Sequence, residues 1–200
     1  MRKLLLASVF ALVAGAASAQ SNNLAYIEQT AGTSGATATQ DQTGTFNEAR
    51  AYQQGTVTNS SISQTQNGYG NNARATQNGA GVSNSITQNQ LGTNLKATAT
   101  QEGGERNIIR QTQAGTAHVS IAYQGGGSGN TTIHDQSGNG GDTNFNTANS
   151  YMTNQTNSQQ YVTQSAGMNN ATQQMLSAGG GNFQQIVQNG QGGTATQILR

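Results

Sequence analysis

The chain has 200 residues, of which eight are basic and seven are acidic, so its formal net charge is only +1. It contains no cysteine, which excludes a disulfide framework and thiolate metal sites, and a hydrophobic content of 32% is too low for an ordinary globular core of this length. A nearly neutral chain does not have the strongly basic surface by which proteins bind nucleic acid, so we predict no nucleic-acid partner.

Residues 1–19 have the pattern of a secretory signal peptide. Two basic residues follow the initiating methionine, residues 4–14 are apolar, and residues 17–19 supply the small side chains of a cleavage site. The apolar run is too short to cross a membrane as a helix. We therefore predict that the chain is exported and that its mature form begins at Gln20.

A glutamine recurs at intervals of 11 to 13 residues from Gln29 to Gln136, and two intervals together make a period of about 23 residues. Such a period is typical of stacked repeats, in which each unit buries its inner face only against its neighbours. The ten glutamines are Gln29, Gln42, Gln53, Gln66, Gln77, Gln90, Gln101, Gln113, Gln124 and Gln136. The nine from Gln42 onward are each followed two residues later by a turn glycine, namely Gly44, Gly55, Gly68, Gly79, Gly92, Gly103, Gly115, Gly126 and Gly138.

The residues two and four positions before each glutamine share its face, because side chains alternate along a strand. In one class of segment these positions carry an apolar residue and a glutamine, as Ile62 and Gln64 do before Gln66, and in the other they carry small residues, as two alanines do before Gln77. Two such strands per period, reversing at the glycines, predict an all-β fold, a β-solenoid of two-strand rungs. On assembly the rungs would stack as cross-β, about 4.8 Å apart, with amide hydrogen bonds between successive glutamines.

The regularity of the pattern predicts how the mature chain is divided. Residues 20–138 form the regular repeat solenoid, residues 139–149 a Gly/Asn-rich insertion, and residues 150–200 degenerate repeats. In the last range, glutamines such as Gln164 and Gln188 still follow an apolar residue two positions earlier. We therefore predict about five regular rungs and about two irregular ones.

No residue pattern indicates catalysis or metal binding. His118 and His134 have no metal-ligand spacing, so we interpret them as occupying a turn-proximal asparagine position or a strand position. Glu28, Asp41 and Asp135 directly precede ladder glutamines, so they point outward as solvated charges, and no nucleophile or base accompanies them. We predict that the protein is not an enzyme and that it uses no cofactor and no metal.

Arg50 and Arg74 are 24 residues apart and so lie one rung apart in the same outward column. Two stacked cations repel each other. We interpret them as gatekeepers that slow premature aggregation, with a plain contribution to solubility as the alternative.

One stretch of the repeat combines serine, glutamine, glycine, asparagine and alanine at fixed distances, at Ser60, Gln66, Gly68, Gly70, Asn71, Ala73 and Gln77. This pattern resembles the repeat of curlin, the subunit of bacterial curli amyloid fibres. The segments from Gln42 to Gln53 and from Gln113 to Gln124 are similar to it, although His118 and Ser120 replace asparagine and alanine in the second.

The resemblance implies a structural subunit of an extracellular fimbrium at the cell surface, secreted as an unfolded chain and supporting cell adhesion and the biofilm matrix. The implied partners are other copies of the chain, another curlin-type subunit or nucleator, an outer-membrane secretion pore and a periplasmic chaperone. The resemblance leaves open whether the chain is the major subunit or the minor nucleator. The alternative function is that of a monomeric secreted β-solenoid, either an adhesin or an ice-binding module.

Overall fold

The computed structural model describes residues 12–14, 22–30, 32–138, 145–176 and 178–200. These residues form strands and turns without any helix, and the parallel sheets stack as a β-solenoid of about seven turns with a repeat of roughly 24 residues. The prediction of an all-β β-solenoid is therefore confirmed. The repeat is slightly longer than expected because only two successive steps between rungs measure 23 residues, whereas the others measure 24 or, once, 28 residues.

Nineteen strands lie within the described residues. In chain order they are β1 (Leu12–Ala14), β2 (Leu24–Gln29), β3 (Thr37–Thr45), β4 (Glu48–Gln54), β5 (Val57–Thr58), β6 (Ser61–Tyr69), β7 (Asn72–Val82), β8 (Ser85–Thr93), β9 (Lys96–Glu105), β10 (Ile108–Thr116), β11 (Val119–Gly125), β12 (Thr131–Gly138), β13 (Thr147–Thr153), β14 (Gln155–Thr156), β15 (Gln159–Gln164), β16 (Asn170–Met175), β17 (Gly179–Gly180), β18 (Phe183–Gln188) and β19 (Thr194–Leu199).

The long strands alternate between two parallel sheets. Sheet A contains, in spatial order, β1, β3, β6, β8, β10, β12, β15 and β18, and sheet B contains β2, β4, β7, β9, β11, β13, β16 and β19. One rung, defined as a full turn of the solenoid, therefore contributes one strand to each sheet. Gln42 lies beside Gln66 in sheet A, and Gln53 lies beside Gln77 in sheet B, so equivalent residues stack along the solenoid axis.

Strand alternation produces the buried inner face. In β6 the side chains of Ile62, Gln64 and Gln66 are each 1% exposed, whereas Ser63 and Thr65 lie on the outer face. The same alternation recurs in β8 and β10. Each strand therefore buries one amide-rich face and leaves the other to solvent.

Among the described residues the apolar core is thin, and most of it lies in two separate clusters. The first contains Ala38, Ala51, Ile62, Ala75, Ile86, Ala99, Ile109 and Ala122. The second contains Ala148, Val162, Ala171 and Ile186. Because a buried isoleucine contributes only about 2–3 kcal/mol, these small clusters leave much of the stability to the backbone ladders and the buried amides.

All nine predicted turn glycines have positive φ angles, from 66° at Gly126 to 142° at Gly92. At Gly68 the φ angle is 132°, and the backbone of the next rung lies against the glycine. A Cβ atom there would collide with the carbonyl oxygen of Gly92 and lie 2.8 Å from its carbonyl carbon. The turn therefore needs glycine both for its φ angle and for the close approach of successive rungs.

One strand begins inside the range that the sequence predicts as an insertion. Residues 139–144 lie outside the described part of the chain, but β13 begins at Thr147, inside the range 139–149. β13 has alternating burial and pairs in register with β11, so its side chains lie alternately on the inner and outer faces of sheet B. The strands that follow pair in the same parallel order as the earlier ones, so the degenerate repeats continue the solenoid.

Candidate functional site: buried amide ladders and end rungs

The buried glutamines of sheet A form a continuous amide ladder, which we call ladder I. In each step the side-chain Nε2 donates to the Oε1 of the next glutamine at 2.7–2.9 Å. The members are Gln42, Gln66, Gln90, Gln113, Gln136, Gln164 and Gln188. The Nε2 of Gln66 also donates to the backbone oxygen of Glu48 at 2.9 Å, so ladder I joins the two sheets as well as successive rungs.

Sheet B contains a second amide ladder, ladder II, with steps of 2.6–3.1 Å in the same direction. Its members are Gln29, Gln53, Gln77, Gln101 and Gln124. Gln124 donates to Thr132 Oγ1 at 3.1 Å, and Met152 and Met175 occupy the following positions. The ten glutamines selected from the sequence are therefore all placed in ladder I or ladder II.

A third amide ladder was missed by the sequence analysis. Ladder III consists of Gln40, Gln64, Gln88 and Gln111, which are linked at 2.8 Å. Their spacing in the sequence places these residues on the inner face, but they lack the glycine two positions later by which most members of ladders I and II are recognised. The recurrence of glutamine two positions before each member of ladder I was the signal that identifies them.

Buried asparagines add a further column at the turns. The backbone N of Asn71 donates to Asn47 Oδ1 at 3.1 Å, and Asn71 Nδ2 donates to the backbone oxygen of Gly92 at 3.0 Å. These side chains satisfy turn backbone groups of neighbouring rungs, which would otherwise be buried without partners. Successive rungs are therefore linked at the turns as well as along the strands.

The two histidines occupy the kinds of position proposed from the sequence. His118 lies in the turn column, where Nε2 is 3.1 Å from the backbone oxygen of Gly138 and Asn146 N donates to Nδ1 at 3.2 Å. Burial lowers the pKa of His118, opposed by its hydrogen bonds to the backbone. His134 lies in β12 and continues the column of ladder III beyond Gln111.

His134 forms a buried polar layer between the two apolar clusters. Its Nδ1 lies 2.8 Å from Ser120 Oγ and its Nε2 2.6 Å from Ser150 Oγ, and the side chain is fully buried. Burial lowers the pKa of His134 to about 3, because desolvation disfavours the charged ring. The neutral imidazole therefore links two serines where ladder III ends.

We expect acidification to weaken the solenoid at this histidine layer. Folding favours the neutral ring, because the folded-state pKa of about 3 lies below the ordinary value of 6.5. The stabilisation is thus complete above pH 6.5 and is lost as the pH falls towards 3. The free energy of unfolding should decrease by about 1.4 kcal/mol per pH unit in this window, and so by about 2 kcal/mol at pH 5.

Urea unfolding at pH 7 and pH 5 measures this loss, with His134→Gln as the control because an amide does not titrate. The pH-dependent loss should be smaller in the variant by about 2 kcal/mol. Equal losses in the two proteins would assign the titration to another group.

The outward cations Arg50 and Arg74 are neighbours in register, as the spacing indicated. Each has a compensating partner: Arg50 forms an ion pair with Glu48, and the Arg74 guanidinium lies 5.3 Å from the centre of the Tyr52 ring. These partners offset the repulsion between the stacked cations. The gatekeeper role of the two arginines stays a hypothesis.

The acidic residues that were considered as candidates are dispersed on the outer faces. Asp41 and Asp135 are exposed, and Glu28 accepts hydrogen bonds from Tyr26 at 3.0 Å and from Gln54 at 2.8 Å. Among the described residues there is no group of three His, Cys, Asp or Glu side chains placed to hold a metal ion.

The first rung contains unpartnered hydrogen-bond acceptors. Every ladder passes its hydrogen bonds from Nε2 to the Oε1 of the following rung, so the first glutamine of each ladder accepts from none before it. Within the described residues, Gln40 Oε1 and Gln42 Oε1 are buried without a partner, as is Gln160 Oε1 where a shorter amide pair begins in β15. Such an atom costs about 1–3 kcal/mol, so the first rung is an incomplete surface.

The last described rung offers a hydrogen-bond donor, whereas the first rung offers acceptors. Gln188 accepts from Gln164 and donates to the backbone oxygen of Asn170 at 3.3 Å. A primary amide has two N–H donors, so Gln188 retains one for an acceptor beyond the rung. Among the described residues, ladder I alone of the three extends from β3 to β18, because Met152 follows Gln124 in the column of ladder II, and Val162 and Ile186 follow His134 in the column of ladder III.

In comparisons with protein-family models, with curated proteins and with solved structures, no match to this chain is found. Within the described residues, no helix has the length and apolar character needed to cross a membrane.

Proposed function

We propose that the chain is a structural subunit of an extracellular curli-type functional amyloid fibre, which grows by templated β-edge addition and supports adhesion and the biofilm matrix. The proposal rests on the repeat pattern and on the stacked solenoid with its buried amide ladders. It involves no catalysis and no cofactor. The principal partner is another copy of the same chain.

The observation that carries the proposal is the opposite polarity of the two ends of ladder I. Gln42 has an unpartnered buried acceptor on the first rung, and Gln188 has a donor on the last described rung. Both residues belong to the same column of sheet A. Stacking the last rung of one copy on the first rung of another would place this donor beside this acceptor and continue ladder I through the joint.

The backbone edges support the same arrangement. β2 and β19 are the outer strands of sheet B, and each is six residues long. An edge strand with unpaired N–H and C=O groups templates the addition of another strand. In sheet A, β1 lies in the predicted signal peptide and pairs with Ala38 to Gln40 of β3. Cleavage after residue 19 would remove β1 and so free this edge of β3. The other residues of the range 1–21 lie outside the described part of the chain.

Seeded polymerisation of the purified mature chain tests the proposal. We expect thioflavin fluorescence to rise after a concentration-dependent lag, and preformed fibres to remove the lag because they supply a template edge. Fibre diffraction should contain the cross-β reflection at about 4.8 Å. A chain that remains a folded monomer at every concentration, with or without seeds, would contradict the proposal and favour the monomeric adhesin or ice-binding alternative.

A further inference from the structure

The outer face of sheet B carries a cluster of cations on three neighbouring strands. Arg50 of β4 pairs in register with Arg74 of β7, and Lys96 of β9 lies beside Asn72, two residues before the Arg74 position. All three cations are exposed. They line an open depression of about 380 Å³, whose lining also includes Glu48.

The charge of this cluster is not neutralised locally. Glu48 pairs with Arg50 and accepts a hydrogen bond from Asn72 at 2.9 Å, whereas Arg74 and Lys96 have no ion-pair partner among the described residues. Three cations and one carboxylate give the depression a charge of +2, although the whole chain carries only +1. The depression is therefore locally cationic on a mature chain that, from Gln20 onward, has six basic and seven acidic residues.

Two tyrosines extend this surface on the side of the first rung. The rings of Tyr26 and Tyr52 have their centres 5.6 Å apart, and with Leu24 and Arg50 they line a second open depression of about 230 Å³. Because both depressions include Arg50, they form one continuous surface. We call Tyr26, Arg50, Tyr52, Arg74 and Lys96 the cationic-aromatic surface.

We propose that the cationic-aromatic surface binds an acidic polysaccharide, a chain of sugar rings that carries carboxylate groups. The two depressions are open and together span strands β2, β4, β7 and β9, which suits an extended chain that crosses several rungs. Tyrosine rings supply flat amphipathic contact area for the sugar rings. The guanidinium of Arg74 pairs with a carboxylate through two parallel hydrogen bonds.

The charge pattern favours this ligand over a dense polyanion. Double-stranded DNA carries a charge about every 1.7 Å, and such a polymer would place phosphates against Glu48 and Glu28, which lie within or beside the surface. A uronic acid polymer carries at most one charge per ring. Its hydroxyl groups can also donate hydrogen bonds to those carboxylates. A cluster of three cations with carboxylates within it and beside it therefore matches a ligand with sparse negative charge.

The test measures the affinity of the full-length mature chain for polygalacturonate. The protein is measured both as freshly purified monomer and after assembly into fibres. We expect Arg74→Gln/Lys96→Gln to weaken binding at least tenfold. The matched control, Arg106→Gln/Arg110→Gln, removes two exposed cations outside the surface and should change the affinity less than twofold. Tyr52→Leu should weaken binding at least threefold without any change of charge.

Three outcomes would overturn the proposal: equal weakening in the two double variants, no effect of Tyr52→Leu, or equally tight binding of inorganic polyphosphate. Neutral dextran should not bind. Lys96→Gln alone provides the same comparison if the double variant does not fold. Because the surface lies on a single solenoid, binding by the monomer tests this inference independently of whether the chain forms fibres.

Discussion

Gly68→Ala is expected to lower the free energy of unfolding by more than about 4 kcal/mol or to prevent folding altogether. Two effects add at this position. The φ angle of 132° is strained for any residue with a Cβ atom, and that atom would overlap the backbone of Gly92 in the next rung. Relief requires the rungs to move apart, which would break the strand pairing and the amide ladders on both sides. Urea unfolding monitored by circular dichroism measures the loss.

Gly181→Ala is the matched control. Gly181 has a φ angle of 70°, but a Cβ atom there would meet no other atom within 4 Å. Its replacement should therefore cost only the intrinsic conformational penalty of about 1–2 kcal/mol. If the two variants lost similar stability, the close approach of the turns would not be what requires glycine in this column.

Gln90→Ala is expected to lower the free energy of unfolding by at least about 3 kcal/mol and to slow the growth of any fibre strongly. Gln90 accepts from Gln66 at 2.8 Å and donates to Gln113 at 2.9 Å and to the backbone oxygen of Asn72 at 3.0 Å. Truncation therefore removes three buried hydrogen bonds and leaves Gln113 Oε1 without its donor, and a buried group that loses its partner costs about 1–3 kcal/mol. Urea unfolding and seeded growth rates measure the two effects.

Two further variants separate the amide from its surroundings. Asn89→Ala changes an exposed neighbour in the same strand and should alter stability by no more than about 0.5 kcal/mol. Gln90→Met fills most of the volume but cannot make the ladder hydrogen bonds, so it should remain nearly as destabilised as Gln90→Ala. A Gln90→Met protein with the stability of the wild type would show that packing, rather than the amide ladder, holds the rungs together.

The histidine layer explains why the solenoid has two apolar clusters instead of one. At the fifth rung the column of ladder III changes from Gln111 to His134, and the small residues opposite are Ser120 and Ser150. The imidazole is satisfied by the two serines, but it does not pass an amide hydrogen bond to the next rung. Ladder I is therefore the only one of the three ladders that links the rungs on both sides of this layer.

Periodicity alone was sufficient to predict the solenoid and the inward position of its glutamines. The alternation of side chains makes the buried face readable from local spacing, and the recurring glycine marks where each strand reverses. Left-handed turn residues other than glycine are harder to predict from the sequence. Ser83 and Ala117 have φ angles of 56° and 60°, although neither residue type favours a left-handed conformation. Tertiary stacking imposes these conformations, so the local sequence does not reveal them.

The sequence by itself thus determined the class of fold, the approximate period and the inner residues, because these follow from local alternation and from the needs of tight turns. Only the tertiary structure decided the common direction of the amide hydrogen bonds, which leaves the acceptor of Gln42 unpartnered at the first rung. It also decided that Glu48 and Tyr52 compensate the stacked arginines. These features depend on contacts between residues a full rung apart or on neighbouring strands, and a repeating pattern along one chain does not specify the orientation of the groups that meet there.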